Sequence, residues 1–486
     1  MKRALSISIL CCIIPAAVLA DKAIGVIPVG LPETDFFYVR MEREEALSLD
    51  KHDYQIGGYT VDLFPFGLGP FDHLAGVAGT KAAIFGSVRE DISSSRYARG
   101  RAYESIRAGL TARPTNHLFV WGNFVLDEQK ARDPLYTGKK WRGLAGDVEQ
   151  AFVWYRSGGF NLQAGRFASF WGGRHSLLLG PNTIMDGVAY SFRWGRIALS
   201  YRLSTLDGLS PERNGVSLFE DRYLAGHRID VHLSNRFRIG ISEMVVFGGP
   251  GRQLEFAYLN PILFYHGTQL NGNSDDNTLL AVDFDVKPAR RFHVYGQLLV
   301  DDFQIEKKKQ SDQEPNEYGL VTGFYVADVV TGWDIKAEYS RVTNRTFNQP
   351  LPRNRYVYEG KPISAASGND YDLATVSLLR WLNRNLRGSL SAEYGRQGEG
   401  SPMDAWSTPW MDVAGDYSEP FPTGVVEKRS SLSVGLKGIL HNVLVIDMEA
   451  GIHGTRNFGH ISGLNRTSPF VQIGLSALFS TAVDVQ

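Results

Sequence analysis

Two residues break an otherwise apolar strand face and are of types that could do chemistry together. In RYLAGHRIDVHLS, Ile229, Val231 and Leu233 share a face with His227; in RFRIGISEMVVF, Phe237, Ile239 and Ile241 share one with Glu243. An antiparallel turn centred on Asn235 pairs Leu233 with Phe237, Val231 with Ile239, Ile229 with Ile241, and so His227 with Glu243. A histidine oriented by a carboxylate is how an acyl hydrolase sets its base. That chemistry also needs a serine beside the ring, and Ser242 falls on the opposite face. The competing reading is a structural pair, either satisfied within itself where neither group would be stable alone or lying above the membrane on a barrel rim that projects past the lipid.

Other constellations point to binding. Asn277 starts a strand that pairs with one ending at Asp301, which gathers Asp275, Asp276, Asp301 and Asp302 at one rim. Four carboxylates could hold Ca²⁺ or accept hydrogen bonds from sugar hydroxyls; solvated aspartates at loop ends would look the same. The loop Ala168 to Asp186 carries Phe170, Trp171, Arg174 and His175, and the loop Gln397 to Glu427 carries Trp406, Trp410, Tyr417 and Phe421. Aromatic faces stack on sugar C–H surfaces while Arg and Asp bind hydroxyls or uronate carboxylates, so these loops are candidate polysaccharide contacts, and Tyr265 and His266 are counted with them. An aromatic girdle or plain loop packing explains any one of them equally well. There is no G-x-S-x-G, no H-E-x-x-H and no Gly-rich phosphate loop before a helix, so no enzyme, cofactor or resident metal is expected.

These residues need elements to position them, and the chain from Gly79 onward supplies a regular set. In NTLLAVDFDVK, Leu280, Val282, Phe284 and Val286 share one face and Asp283 and Asp285 the other. Alternating segments of this kind recur near 80–89, 103–112, 116–127, 148–157, 159–167, 187–194, 196–204, 223–234, 236–247, 277–287, 291–301, 317–327, 332–343, 371–381, 385–396, 428–440, 442–454 and 467–479. After every second strand the connection is short, as at Gly195, Asn235 and His441, and each intervening one is about a dozen residues or longer. A soluble sandwich has no reason for short turns at one end and long loops at the other; a membrane barrel with periplasmic turns and extracellular loops requires it. Charges of both signs, among them Arg202, Arg228, Asp230, Asp283, Lys336, Glu338 and Lys437, collect on one face, where lipid would cost each roughly 2–4 kcal/mol at midplane, so they line a lumen. The expected fold is an all-β transmembrane antiparallel barrel of about eighteen strands, with a cross-braced interior or a water channel equally open.

The 486-residue chain has no apolar run of transmembrane-helix length after the first twenty residues, which excludes a helical membrane protein. Residues 1–20, with Lys2 and Arg3, an apolar core and Ala20 before the cut, read as a signal peptide. Both cysteines, Cys11 and Cys12, lie in it, so the mature chain has no disulfide and no thiolate chemistry. A net charge of −1 gives no reason to expect nucleic acid. Residues 21–78 differ in texture: Glu33 to Asp50 is rich in helix formers and reads as one short helix packed on the periplasmic mouth of a barrel spanning 79–486.

The order GRFASFWGGRHSLLLG, YLAGHRIDV, ISEMVVFGG, LNPILFYH, DNTLLAVDFDVK and YGQLLVDDF resembles the Wzi family of capsule-assembly outer-membrane proteins, from Tyr103 to Glu306 in motif and beyond that in architecture. The resemblance implies an outer-membrane barrel with a periplasmic helical segment, acting as a lectin that holds capsular or other surface polysaccharide to the cell. It implies as partners outer-membrane lipid, that polysaccharide and the barrel-assembly machinery, with long loops extracellular and the N-terminus periplasmic. The chain departs from the pattern in its N-terminal segment and in the final SALFSTAVDVQ, which has no terminal aromatic. A diffusion porin is the other reading; it needs a loop folded into a wide lumen, and Leu254 to Asp276, with its Asn260-Pro261 turn, is the candidate.

Overall fold

The computed structural model describes residues 26–28, 31–47, 58–60, 81–95, 98–133, 136, 138–173, 175–181, 183–209, 212–213, 216–217, 220–272, 274–304, 309–441 and 443–483. The expected signal peptide and Arg174 lie outside them. The wall begins with β1 (Ala82–Ser95), β2 (Ala98–Thr115), β3 (Leu118–Asp127), β4 (Leu144–Ser157), β5 (Phe160–Ala168) and β6 (Ile184–Trp194). It continues with β7 (Ile197–Leu206), β8 (Arg222–Ser234), β9 (Phe237–Gly248), β10 (Asn277–Ala289), β11 (Phe292–Asp302) and β12 (Glu317–Val330). The last third is β13 (Trp333–Val342), β14 (Tyr371–Asn383), β15 (Leu386–Gln397), β16 (Glu427–Leu440), β17 (Leu444–Arg456) and β18 (Arg466–Val483). Each strand pairs antiparallel with the next, and β18 pairs with β1 from Phe470↔Ser95 to Val483↔Ala82, closing the barrel and leaving no free edge.

Turns and loops segregate to opposite ends as the alternation predicts, with one difference. The expected loop at 90–102 does not form, because β1 and β2 run on as a hairpin as far as Ser95↔Ala98. Their tips carry Ser93, Ser94, Gly100 and Arg101, polar enough to need no apolar cover. The two faces are as read: Ile197, Leu432, Val434, Val471 and Phe479 stand exposed on the outer wall. Inside, Arg228 donates to Asp283 (2.5 and 3.0 Å) and Asp230 (2.6 and 2.8 Å), and Arg238 donates to Asp230 (2.7 Å). A Cβ on Gly240 would sit 1.9 Å from the Arg228 guanidinium, so the missing side chain is what lets the arginine lie flat along the wall.

Both ends of the lumen are filled. At the short-turn end helix α1 (Asp35–Leu47) enters the barrel: Phe36, Phe37, Tyr38 and Met41 pack on the inward rings of Phe119, Trp121, Phe152 and Trp154. A 3-10 turn opened by Pro32 (Pro32–Thr34) leads into the helix, and Asp35 meets the positive end of its dipole. Its polar side is tied to the wall by Lys437–Asp35 (2.5 Å), Lys336–Glu42 (2.7 Å), Arg43–Asp334 (2.9 Å) and Arg43–Asp328 (2.6 Å). The Arg291 N–H of a short turn caps the Ala46 carbonyl at 2.8 Å. The helix thus fills the mouth at the short-turn end.

At the long-loop end, loops 169–183 and 343–370 fold inward. Leu177, Leu178, Leu179, Phe347, Tyr356 and Ile363 form one buried cluster with inward side chains of the wall, among them Met244, Leu279 and Leu299. The Leu177 N–H and the Ser176 hydroxyl donate to Gln297 Oε1 (2.6 and 3.2 Å), and Ile363 O accepts from Gly180 N–H at 3.1 Å. Gly172, at φ 80°, comes so close to Asp283 that a Cβ would lie 2.8 Å from its carboxylate. The loop that was the porin candidate does the opposite of what that reading needs. Residues 249–276 fold against the outer wall, because Tyr258 and Tyr265 pack on the outward Ala225, Val245 and Phe247.

Candidate functional site

Loops 343–370 and 398–426 meet at the long-loop end and enclose a cleft of about 210 Å³. Asp370 stitches them together, accepting N–H bonds from Gly400 (3.1 Å) and Thr423 (3.0 Å) and the Thr423 hydroxyl. Burial holds this carboxyl above the usual range in spite of those donors. Arg345, in the left-handed region at φ 69°, turns its guanidinium back between the loops. It donates to Glu419 at 2.6 Å and stands 5.0 Å from the Trp410 ring centre and 6.0 Å from that of Trp406. The two tryptophans meet edge to face at 6.4 Å. Trp410 is buried behind the cleft, against Arg345 and Trp406; Trp406 is half-buried and lines the cleft with Asn344, Arg345, Glu399, Ser401 and Asp404. A ring platform beside both donors and acceptors is the chemistry that holds a polyhydroxylated ring.

Of the residues singled out from the sequence, Trp406, Trp410 and Tyr417 come together here; Tyr417 is half-buried, 6.4 Å from Trp410. Trp171 and His175 face the lumen instead. Trp171 is buried in the loop cluster, and His175 pairs with Glu338 at 3.1 Å and stacks on Tyr295 at 5.7 Å. Tyr265 and His266 sit on the outer wall. The four rim aspartates do not form one group, because loop cations and backbone claim them separately. Asp275 pairs with Arg353 and Asp276 with Arg252, Asp301 accepts the Phe347 N–H at 2.6 Å, and Asp302 accepts from Gln304 at 3.1 Å. Among the described residues no three His, Asp or Glu side chains stand where they could hold a metal ion.

His227 and Glu243 pair as the register predicts, Nε2 to Oε2 at 3.2 Å, while Ser242 points inward to Arg228. Ser242 is thus turned away from the His227 ring, as the register predicts. Glu243 also accepts the N–H groups of Tyr265 (2.8 Å) and His266 (2.7 Å), the first two residues of helix α2 (Tyr265–Gly272), so the pair clasps the outer-wall loop. The cleft residues Asn344, Arg345, Asn348, Glu399 and Asp404 carried no sequence signal of their own. The usable signal was the dense Asn and Arg content of TNRTFNQPLPRNRY.

The profile of the capsule assembly protein Wzi matches residues 94–456, most of the chain. This chain belongs to the Wzi capsule-assembly family. The Wzi-family barrel aligns with the solved structure of Wzi from Escherichia coli, described as an outer-membrane, carbohydrate-binding β-barrel involved in group 1 capsule assembly. That alignment has a TM-score of 0.59 and 13% identity, and covers 95% of this chain and 100% of that one. Two Pseudomonas aeruginosa structures match less closely: OccD3 (OpdP), at TM-score 0.48, 8% identity and 82% and 91% coverage, and OpdK with vanillate, at 0.48, 11% and 82% and 99%. No curated protein sequence matches the chain. Membership makes this an outer-membrane β-barrel of a capsule-assembly family.

Proposed function

We propose that this barrel holds capsular polysaccharide at the cell surface, with the long loops extracellular, α1 in the periplasmic mouth and no catalytic step. The observation that carries the reading is the cleft of Trp406, Arg345, Asn344, Glu399 and Asp404 between two loops stitched by Asp370. Short turns facing the periplasm and long loops facing outward are the rule for such barrels, and the leader read at residues 1–20 fits export. A lumen filled from both ends suits holding a polymer better than conducting solutes. The carbohydrate binding described for the Escherichia coli protein accords with it.

The test is binding of purified capsular polysaccharide to the detergent-solubilised barrel. Trp406→Ala is expected to weaken it by about 1–3 kcal/mol, by analogy with other ring platforms, or roughly five- to 150-fold in Kd. Cells lacking the protein should shed capsule. Unchanged binding in Trp406→Ala together with unchanged capsule retention in the deletion strain removes the proposal.

A further inference from the structure

The outer-wall loop, residues 249–276, is turned inside out relative to a loop that meets water. Many of its polar groups face the wall, while Gln253, Asn260 and Asn271 are exposed: Tyr201 donates to the Tyr258 carbonyl (2.9 Å), Tyr258 to Asp276 (2.6 Å) and Thr278 to Gln269 (2.8 Å), Arg252 holds Glu255 and Asp276, and Glu243 caps α2. Its large apolar side chains point away from the protein: Phe256 is 89% exposed, Ile262 84% and Leu270 67%, with Leu254 and Phe264 also exposed. From Leu254 to Ser274 the only Asp, Glu, Lys or Arg is Glu255, and Arg252 neutralises it at 2.5 Å. Exposed apolar surface of this extent around satisfied polar groups marks an interaction face.

The position of the loop says what covers that face. It lies on the outward side of β8 and β9, where the next outward residues toward the short turn, Ile229 and Ile241, are exposed members of the lipid-facing band. Glu243 stands eight residues beyond Asn235, so a strand rise near 3.3 Å and a tilt near 40° place the start of α2 about 20 Å above the turn, inside an apolar band about 25 Å tall. The apolar side chains of the loop thus continue the lipid-facing band instead of rising clear of it.

We propose that residues 249–276 form a lipid-embedded flap: α2 and the turn before it lie in the outer leaflet of the outer membrane, with Leu254, Phe256, Ile262, Phe264 and Leu270 among lipid acyl chains. The leaflet assignment rests on the orientation proposed above; burial in lipid does not. The clasp of His227 and Glu243 then has its physical reason, since a carboxylate and two helix N–H groups at that depth must satisfy one another within the protein.

A mature chain without cysteine permits a direct test. Single nitroxide labels at Phe256→Cys, Ile262→Cys and Leu270→Cys are compared, in protein reconstituted into phosphatidylcholine vesicles, with Ile241→Cys on the bare wall and Met411→Cys in the long-loop cap; both reference side chains are exposed. The flap predicts oxygen accessibility several-fold above that of a water-soluble nickel chelate at the three loop sites, as at 241. A ratio like that at 411 puts the loop in water and overturns the proposal. Low accessibility to both agents with spin–spin broadening puts it against a second copy and overturns it equally. Glycan binding, measured on the same labelled proteins, reports separately on the lectin reading.

Discussion

At the scale of single residues, the interior is a network in which each charge depends on its neighbours. Arg228 and Arg238 share Asp230 and Asp283, and Gly240 gives the Arg228 guanidinium room to reach both acids. Removing Asp283 takes away a carboxylate that both buried arginines contact, a loss that typically costs about 3–5 kcal/mol. Asp283→Ala is therefore expected to lower the midpoint of urea unfolding, read from the fraction of compact, heat-modifiable barrel on gels, with Gly240→Ala showing a smaller drop. An unchanged midpoint for Asp283→Ala would mean that water, and not Asp283, satisfies these arginines. Trp410, packed beneath Arg345 and behind the cleft, supports the loop, so Trp410→Ala should loosen loop 398–426 as well as weaken glycan binding.

At the scale of elements, loop conformations are set by a few buried acids. Glu314 in loop 303–316 is pushed up to about 7, first by burial and then by the Asp302 charge, against the lowering effect of Arg345; Glu317 also faces it. Its folded value lies above its ordinary one, so its contribution to loop stability is fully present below the ordinary carboxylate range and is lost as pH rises through about 7. Hydrogen exchange of residues 309–316 should accelerate between about pH 6 and 8 beyond the intrinsic base-catalysed trend, and Glu314→Gln should reduce the excess. Helix α2 offers a second case. Glu243→Ala strips the acceptor from the Tyr265 and His266 amides, a penalty of about 1–3 kcal/mol for buried donors, and should raise exchange through 265–272 while leaving β8 and β9 protected.

At the scale of the whole molecule, the lumen is crossed by one chain of contacts. Glu42 of α1 meets Lys336, whose ammonium lies 3.2 Å from His175; His175 meets Glu338, which accepts from Tyr295 at 2.5 Å. The two plugs thus touch through the wall residues between them. In planar bilayers the intact barrel should conduct few ions, removal of residues 31–47 alone or shortening of loop 343–370 alone should leave it closed, and only both changes together should open a pore. Large steady conductance from the intact protein would show that the plugs are displaced in the membrane.

Much of this molecule was legible in the one-dimensional pattern, and the reason is the side-chain period of two. Alternation assigned Ile197, Val434 and Phe479 to lipid and Arg228, Asp283 and Lys336 to the lumen, and turn length predicted which end each connection closes. The same counting paired His227 with Glu243, because register in a hairpin follows from its turn. What alternation cannot express is where a long loop goes once it leaves the strand. Leu224, Met244, Val246, Leu279 and Leu299 share parity with the charged lumen set, a trace of loops folding in, yet nothing local says that 169–183 and 343–370 supply the cover. Nor could it show that 249–276 would lie outside, bring Glu243 to the start of α2, or leave Trp406 beside Arg345, residues far apart in the chain. Those placements depend on which apolar surface each loop finds unfilled, and only the closed barrel creates the surfaces among which it chooses.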